Sequence, residues 1–126
     1  MNDDFVIHAY SRAQAIADGV LVDCSALARE AGIRVPVALT RAAWDLCVAL
    51  SPAAKDALND EQGRLWDVLW MMSMAIRRQA GNGDRLLFSL NCVTERVQPS
   101  RVTLRAVIGP GDSAEPVLTV MLPDED

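Results

Sequence analysis

The hydrophobic pattern changes period once along the chain, near residue 80. From Arg64 to Ala80, Leu65, Leu69, Met72 and Ile76 recur at i, i+4, i+7 and i+11, with Trp66, Trp70 and Met74 as an adjacent stripe. An apolar arc that wide predicts a long helix over 64–80 at the centre of the core. Arg77 and Arg78 near its end suit the negative pole of the helix dipole. Gly81-Asn82-Gly83-Asp84 then predicts a turn. Beyond it the period is two. Leu86, Phe88, Leu90 and Cys92 face one way against Arg85, Ser89 and Asn91. Val102, Leu104, Ala106 and Ile108 oppose Arg101, Thr103 and Arg105, and Leu118, Val120 and Leu122 oppose Thr119 and Met121. Such alternation predicts an antiparallel meander with one buried face, which the long helix would cover.

The first half reads as short helices and brief extended runs. Phe5-Val6-Ile7 is an expected strand, and Ser11 is the expected cap of a helix that Gly19 ends. Val20 to Val22 is extended, Ser25 is expected to cap a helix to Ala31, and Arg34 to Val37 is extended because Pro36 disfavours helix before it. Thr40 opens a helix to Leu50, Ser51-Pro52 opens a further turn, and Asn59 to Gly63 is a polar break. The expectation is one α+β domain over 1–126, helix-rich over 1–80. Its helices would pack on one face of a three-stranded antiparallel β-meander over 85–122.

Composition narrows the class. The 126 residues are 51% hydrophobic and 23% charged, an ordinary globular balance sufficient for one core. No apolar run approaches the roughly 20 residues that span a bilayer, and Met1-Asn2-Asp3-Asp4 is acidic where a secretory signal begins basic, so the cytoplasm is expected. The net charge of −5 is carried by the two ends. Five of the seventeen acids lie in 1–4 and 124–126, which leaves a neutral body and argues against a DNA mimic. Six arginines against two acids between Arg77 and Arg105 form the one basic region.

Cys24, Cys47 and Cys92 are widely spaced, form no CxxC pair and lie far from His8, the single histidine; buried thiols are expected, with no metal site and no cofactor. Gly109-Pro110-Gly111-Asp112 lacks the Lys-Ser/Thr and helix of a P-loop and reads as a turn between strands. Asp60, Arg64 and Asp67, at i, i+4 and i+7, read as an intrahelical ion-pair ladder, and Trp44, Trp66 and Trp70 as core. His8, Tyr10 and Arg12 form a polar trio that would need an orienting partner and a pocket to do acid–base chemistry. Arg85, Arg101 and Arg105 share the outer sheet face, but no exposed aromatic joins them, so nucleic-acid binding would be weak and salt-sensitive.

Three segments together resemble a family of unknown function carried on bacterial plasmids, phages and integrative elements. They are Tyr10 to Asp23, Gly63-Arg64-Leu65-Trp66-Asp67-Val68-Leu69-Trp70-Met71, and Gly109-Pro110-Gly111-Asp112. The resemblance runs from about Ile7 to Asp124. It implies an accessory protein of a mobile genetic element and brings no catalytic residue. In that setting a protein partner is expected, such as a host defence complex blocked by an anti-CRISPR or anti-restriction protein. The expected contact surface is Arg85, Arg101, Arg105 and Met121 with Asp112 of the neighbouring loop, a homodimer being the other arrangement. A fainter similarity links His8, the Ser/Arg helix and Asp18-Gly19-Val20-Leu21 to the opening of ADP-ribosyltransferase domains, whose strand histidine holds the nicotinamide ribose. The glycine-threonine that follows there is missing here. This is the enzyme alternative, resting on His8, Tyr10 and Arg12.

Overall fold

A computed structural model describes residues 10–79 and 83–125. The chain runs α1 (Arg12–Ala17), β1 (Leu21–Asp23), α2 (Ser25–Glu30), β2 (Val37–Thr40), α3 (Arg41–Cys47), α4 (Pro52–Asp56), α5 (Glu61–Arg78), β3 (Arg85–Cys92), β4 (Ser100–Pro110) and β5 (Pro116–Met121). The α+β class is as the sequence predicts. The sheet is larger: five strands in the order β1-β2-β5-β4-β3. The expected meander is present as the β3–β4–β5 half, with Phe88 opposite Leu104 and Ala106 opposite Val120. β5 also pairs with β2 in parallel, Leu39 beside Val120, and β2 pairs antiparallel with β1. The extended run expected over 34–37 leads into β2, which Val37 opens and which continues to Thr40. The expected strand Phe5-Val6-Ile7 lies outside the described residues.

One sheet face carries the core. Val37 and Leu39 of β2, Phe88 and Leu90 of β3, Leu104 of β4 and Val120 of β5 pack with Leu65, Val68, Leu69 and Met72 of α5. The helices are not confined to that face. Arg12 of α1 donates to Thr119 Oγ1 at 2.8 Å, and Thr119 points opposite to Leu118 and Val120. α1 therefore covers the β5 end of the outer face, and no other described element covers the β3–β4 end.

Side-chain caps open α1, α3, α4 and α5. Ser11 accepts from the Gln14 N–H while Gln14 reaches back to the Ser11 N–H, a closed capping box. Thr40 and Ser51 accept from Ala43 and Ala54 at 3.2 and 3.1 Å. Ser25 does not cap α2. The cap position is Cys24, and the Ser25 hydroxyl donates to Asp23 and accepts from the Val37 N–H, joining β1 to β2. α5 begins at Glu61, inside the expected break, because the Asp60 carboxylate accepts from the Gly63 N–H. A Cβ at Gly63 would lie 2.9 Å from that carboxylate oxygen, so a larger residue there would make the Asp60 side chain shift. The expected turn at Gly109 starts two residues later, since β4 continues through Pro110 and Gly111 bonds to Glu115.

The expected Asp60–Arg64–Asp67 ladder does not form. Arg64 is only 5% exposed and points inward. Its Nε donates to the Val48 carbonyl at 3.0 Å, and Nη1 donates to Asn59 Oδ1 and the Val93 carbonyl at 3.0 and 2.9 Å. Nη2 lies 3.4 Å from the Leu46 carbonyl. One guanidinium thus ties the end of α3, the approach to α5 and the residue after β3. Trp70 departs from expectation too: it is 40% exposed, stacked on half-buried Trp66 at 5.8 Å. Ile76 also reaches the surface, and the buried stripe of α5 runs instead through residues 64, 65, 68, 69, 72 and 73.

Replacing Arg64 with Met should lower the unfolding free energy by about 3 kcal/mol, because each buried carbonyl left without a donor costs about 1–3 kcal/mol. Urea unfolding measures it. A loss under about 0.5 kcal/mol, the range of ordinary surface changes, would place Arg64 outside the core.

Candidate functional site

Strand alternation places Arg85, Leu87, Ser89 and Asn91 of β3 beside Val107, Arg105, Thr103 and Arg101 of β4 on the open outer face. Arg85 is exposed, with Asp84 at the ion-pair limit of 4.0 Å. Arg101 is exposed opposite Asn91. The other members of the expected surface are committed elsewhere. Met121 is 7% exposed and buried under its neighbours. Arg105 is half-buried, with Nη2 3.2 Å from the Met121 sulfur and donating to the Glu125 carbonyl. Glu125 accepts in turn from Thr40 and the Leu122 N–H at 2.7 and 2.8 Å, so this arginine fastens the chain end to the sheet.

Asp112 and Arg12 form a second fastening. The Asp112 carboxylate accepts the backbone N–H groups of Ala13 and Arg12 at 3.0 and 2.8 Å. Those amides hold its pKa below the ordinary carboxylate value. The Arg12 side chain bridges Thr119 Oγ1 and the Leu118 carbonyl, both at 2.8 Å, and burial lowers its pKa. Tyr10 donates to the Asp18 carboxylate, which raises the phenol pKa. Tyr10 and Arg12 are thus turned to separate partners, while His8 lies outside the described residues.

The three cysteines are buried free thiols, as expected. Burial pushes Cys24 up to about 11. Cys47 and Cys92 bring their sulfurs to 3.8 Å. A thiolate on Cys92 would accept from the Cys47 S–H near the Arg64 cation, and both interactions lower the Cys92 pKa. Among the described residues no group of three His, Cys, Asp or Glu side chains is placed to hold a metal. No helix among them is long and apolar enough to cross a membrane.

Sequence reasoning missed the feature with the clearest capacity to bind. A groove of about 770 Å³ runs between α5 and the outer edge of β3. Trp70, Met71 and Arg78 stand on the helix wall, and Leu87, Ser89 and Asn91 on the strand wall. Leu87 is 61% exposed although it sits in a strand. Its signal was present in the sequence: Leu87 is an apolar residue on the polar side of an alternating run. Arg77 lies over the Trp70 ring at 5.9 Å, and Arg101 closes the groove from β4.

A family model described as a family of unknown function (DUF6573) matches residues 1–126. No curated protein and no solved structure matches the chain.

The Asp112 cap carries a pH signature. A carboxylate whose folded pKa lies below its unfolded value of about 3.9 stabilises the fold above that value and loses the contribution as pH falls through the folded one. The wild type should therefore melt higher than Asp112→Asn at pH 7, with the gap closing below about pH 4. Thermal melts across pH read this out. A gap unchanged down to the lowest pH would show that the charge on Asp112 is not what caps α1.

Proposed function

We propose that this chain, which belongs to the family of unknown function DUF6573, is a non-enzymatic binding protein that docks on a protein partner through the β3–β4 end of its sheet. One observation carries the reading. β3 is an eight-residue strand at the sheet edge, with Leu87 exposed among arginines and no proline or inward charge to blunt it. Proteins normally protect such edges, so an unprotected one marks a surface that another chain covers. The opposite edge, β1, is three residues long and needs no protection.

The resemblance to proteins of plasmids and phages supports a narrower version. In it the protein is an accessory of a mobile element and its partner is a host protein, such as a restriction or CRISPR complex. Charge supports docking over transfer chemistry: Arg85 and Arg101 are exposed on the sheet face, Arg85 with Asp84 at the 4.0 Å ion-pair limit, whereas Tyr10 and Arg12 are engaged in holding α1.

Tagged protein purified from a bacterial host should retain a protein partner, and Arg85→Glu with Arg101→Glu should release it while the melting temperature stays within a few degrees. Retention by the double variant would move the docking surface elsewhere. Transfer of label from NAD to host protein that His8→Ala abolishes would replace the binding reading with the enzyme one. A gel shift that survives about 200 mM salt would favour nucleic acid as the partner.

A further inference from the structure

The β3 edge has a polarity that can be read from its pairing. The Asp84 carbonyl accepts from the Ile108 N–H at 2.8 Å. In an antiparallel ladder, bonded pairs alternate with non-bonded ones. Leu86, Phe88 and Leu90 therefore bond to β4, while the N–H and C=O groups of Leu87, Ser89 and Asn91 point away from it. No strand pairs with β3 on that side among the described residues. Those outward groups border the groove under α5. Backbone hydrogen-bonding groups at a strand edge beside a helix make a seat for one more strand.

We propose, building on the docking reading above, that the groove takes an extended segment of a partner protein as a sixth strand beside β3, and that this segment alternates apolar and acidic residues. Pairing follows from the free backbone groups at every second residue of β3. Alternation follows from the two sides of the seat. Side chains turned inward would meet Trp70, Met71 and Ala75, which are apolar. Side chains turned outward would meet Leu87, Ser89 and Asn91, with Arg85 at one end and Arg101 beyond Asn91 on β4. The charge follows from the surround. Arg78 and Arg101 line the seat against Asp67, and Arg85 stands at the start of the same strand. A second copy paired through the same edge would bring its own arginines to this surface, which like-charge repulsion opposes. An acidic strand meets them with opposite charge.

The probe is a synthetic peptide of alternating valine and glutamate. Its titration should shift the amide resonances of Leu87, Ser89 and Asn91 more than those of Leu86, Phe88 and Leu90. A peptide with lysine for each glutamate should bind at least about tenfold more weakly. Ser89→Pro removes one outward N–H and leaves the β4 ladder intact, since proline is tolerated on an edge where its nitrogen faces solvent. It should weaken the peptide by about tenfold or more, and Ser89→Ala should not. N-methylating the peptide at alternate amides tests the same bonds with the protein unchanged, which covers the case in which Ser89→Pro does not fold.

Equal binding of the methylated peptide, or no binding of the acidic one, overturns the proposal. So does a dimer in sedimentation that Ser89→Pro abolishes, because a second copy would then occupy the seat. The tagged protein separates this inference from the one beneath it. A partner lost on Arg85→Glu with Arg101→Glu but kept on Ser89→Pro leaves docking standing and removes strand addition.

Discussion

The buried guanidinium of Arg64 fixes the relation between the long helix and the sheet. It sits one turn into α5 and donates to carbonyls at the end of α3 and just past the end of β3. A charge taken from water is costly, and several good acceptors are needed to offset it. Here they are backbone carbonyls that would otherwise lie buried without donors. Those of Leu46 and Val48 close the last turn of α3, where a cation also meets the negative pole of the helix. Because Val93 immediately follows β3, the same residue sets how α5 lies against the β3 edge. The groove is a consequence of that placement.

A second pair of fastenings works on the opposite face. Asp112 caps α1 from the β4–β5 turn, Arg12 returns to β5, and Arg105 ties down the chain near Glu125. Together they cover the β5 side of the outer face and bury Met121. Among the described residues, what remains open is the side formed by β3 and β4, where Leu87 is exposed. The arginines of the basic region thus divide. Arg105 is structural, while Arg85 and Arg101 remain available.

Local patterns were legible in the sequence, and nonlocal ones were not. Leu65, Leu69 and Met72 gave α5, and the alternations around Phe88, Leu104 and Val120 gave β3 to β5. β1 and β2 are three and four residues long, too short for a period to show. The parallel partner of β2 lies some eighty residues later, and nothing local marks that pairing. Arg64 was misplaced because i, i+4 spacing looks the same for an exposed ion pair as for a cap beside an inward arginine. Its register with Val68 and Met72 was the clue. Alternation correctly put Met121 opposite Val120 but could not reveal that α1 and the chain end shield that face. Arg85 and Arg101 were recognised as surface residues. The edge itself was not, because strand order decides which strand is outermost and no single segment encodes it.

The central claim is that β3 is held firmly on one side and left open on the other. Amide hydrogen exchange, resolved residue by residue along β3, tests it most directly. Leu86, Phe88 and Leu90 should exchange slowly, as their N–H groups bond to β4, while Leu87, Ser89 and Asn91 exchange faster by about two orders of magnitude or more. Uniformly slow exchange along the strand would contradict the account, because it would mean that the outer edge of β3 is already covered.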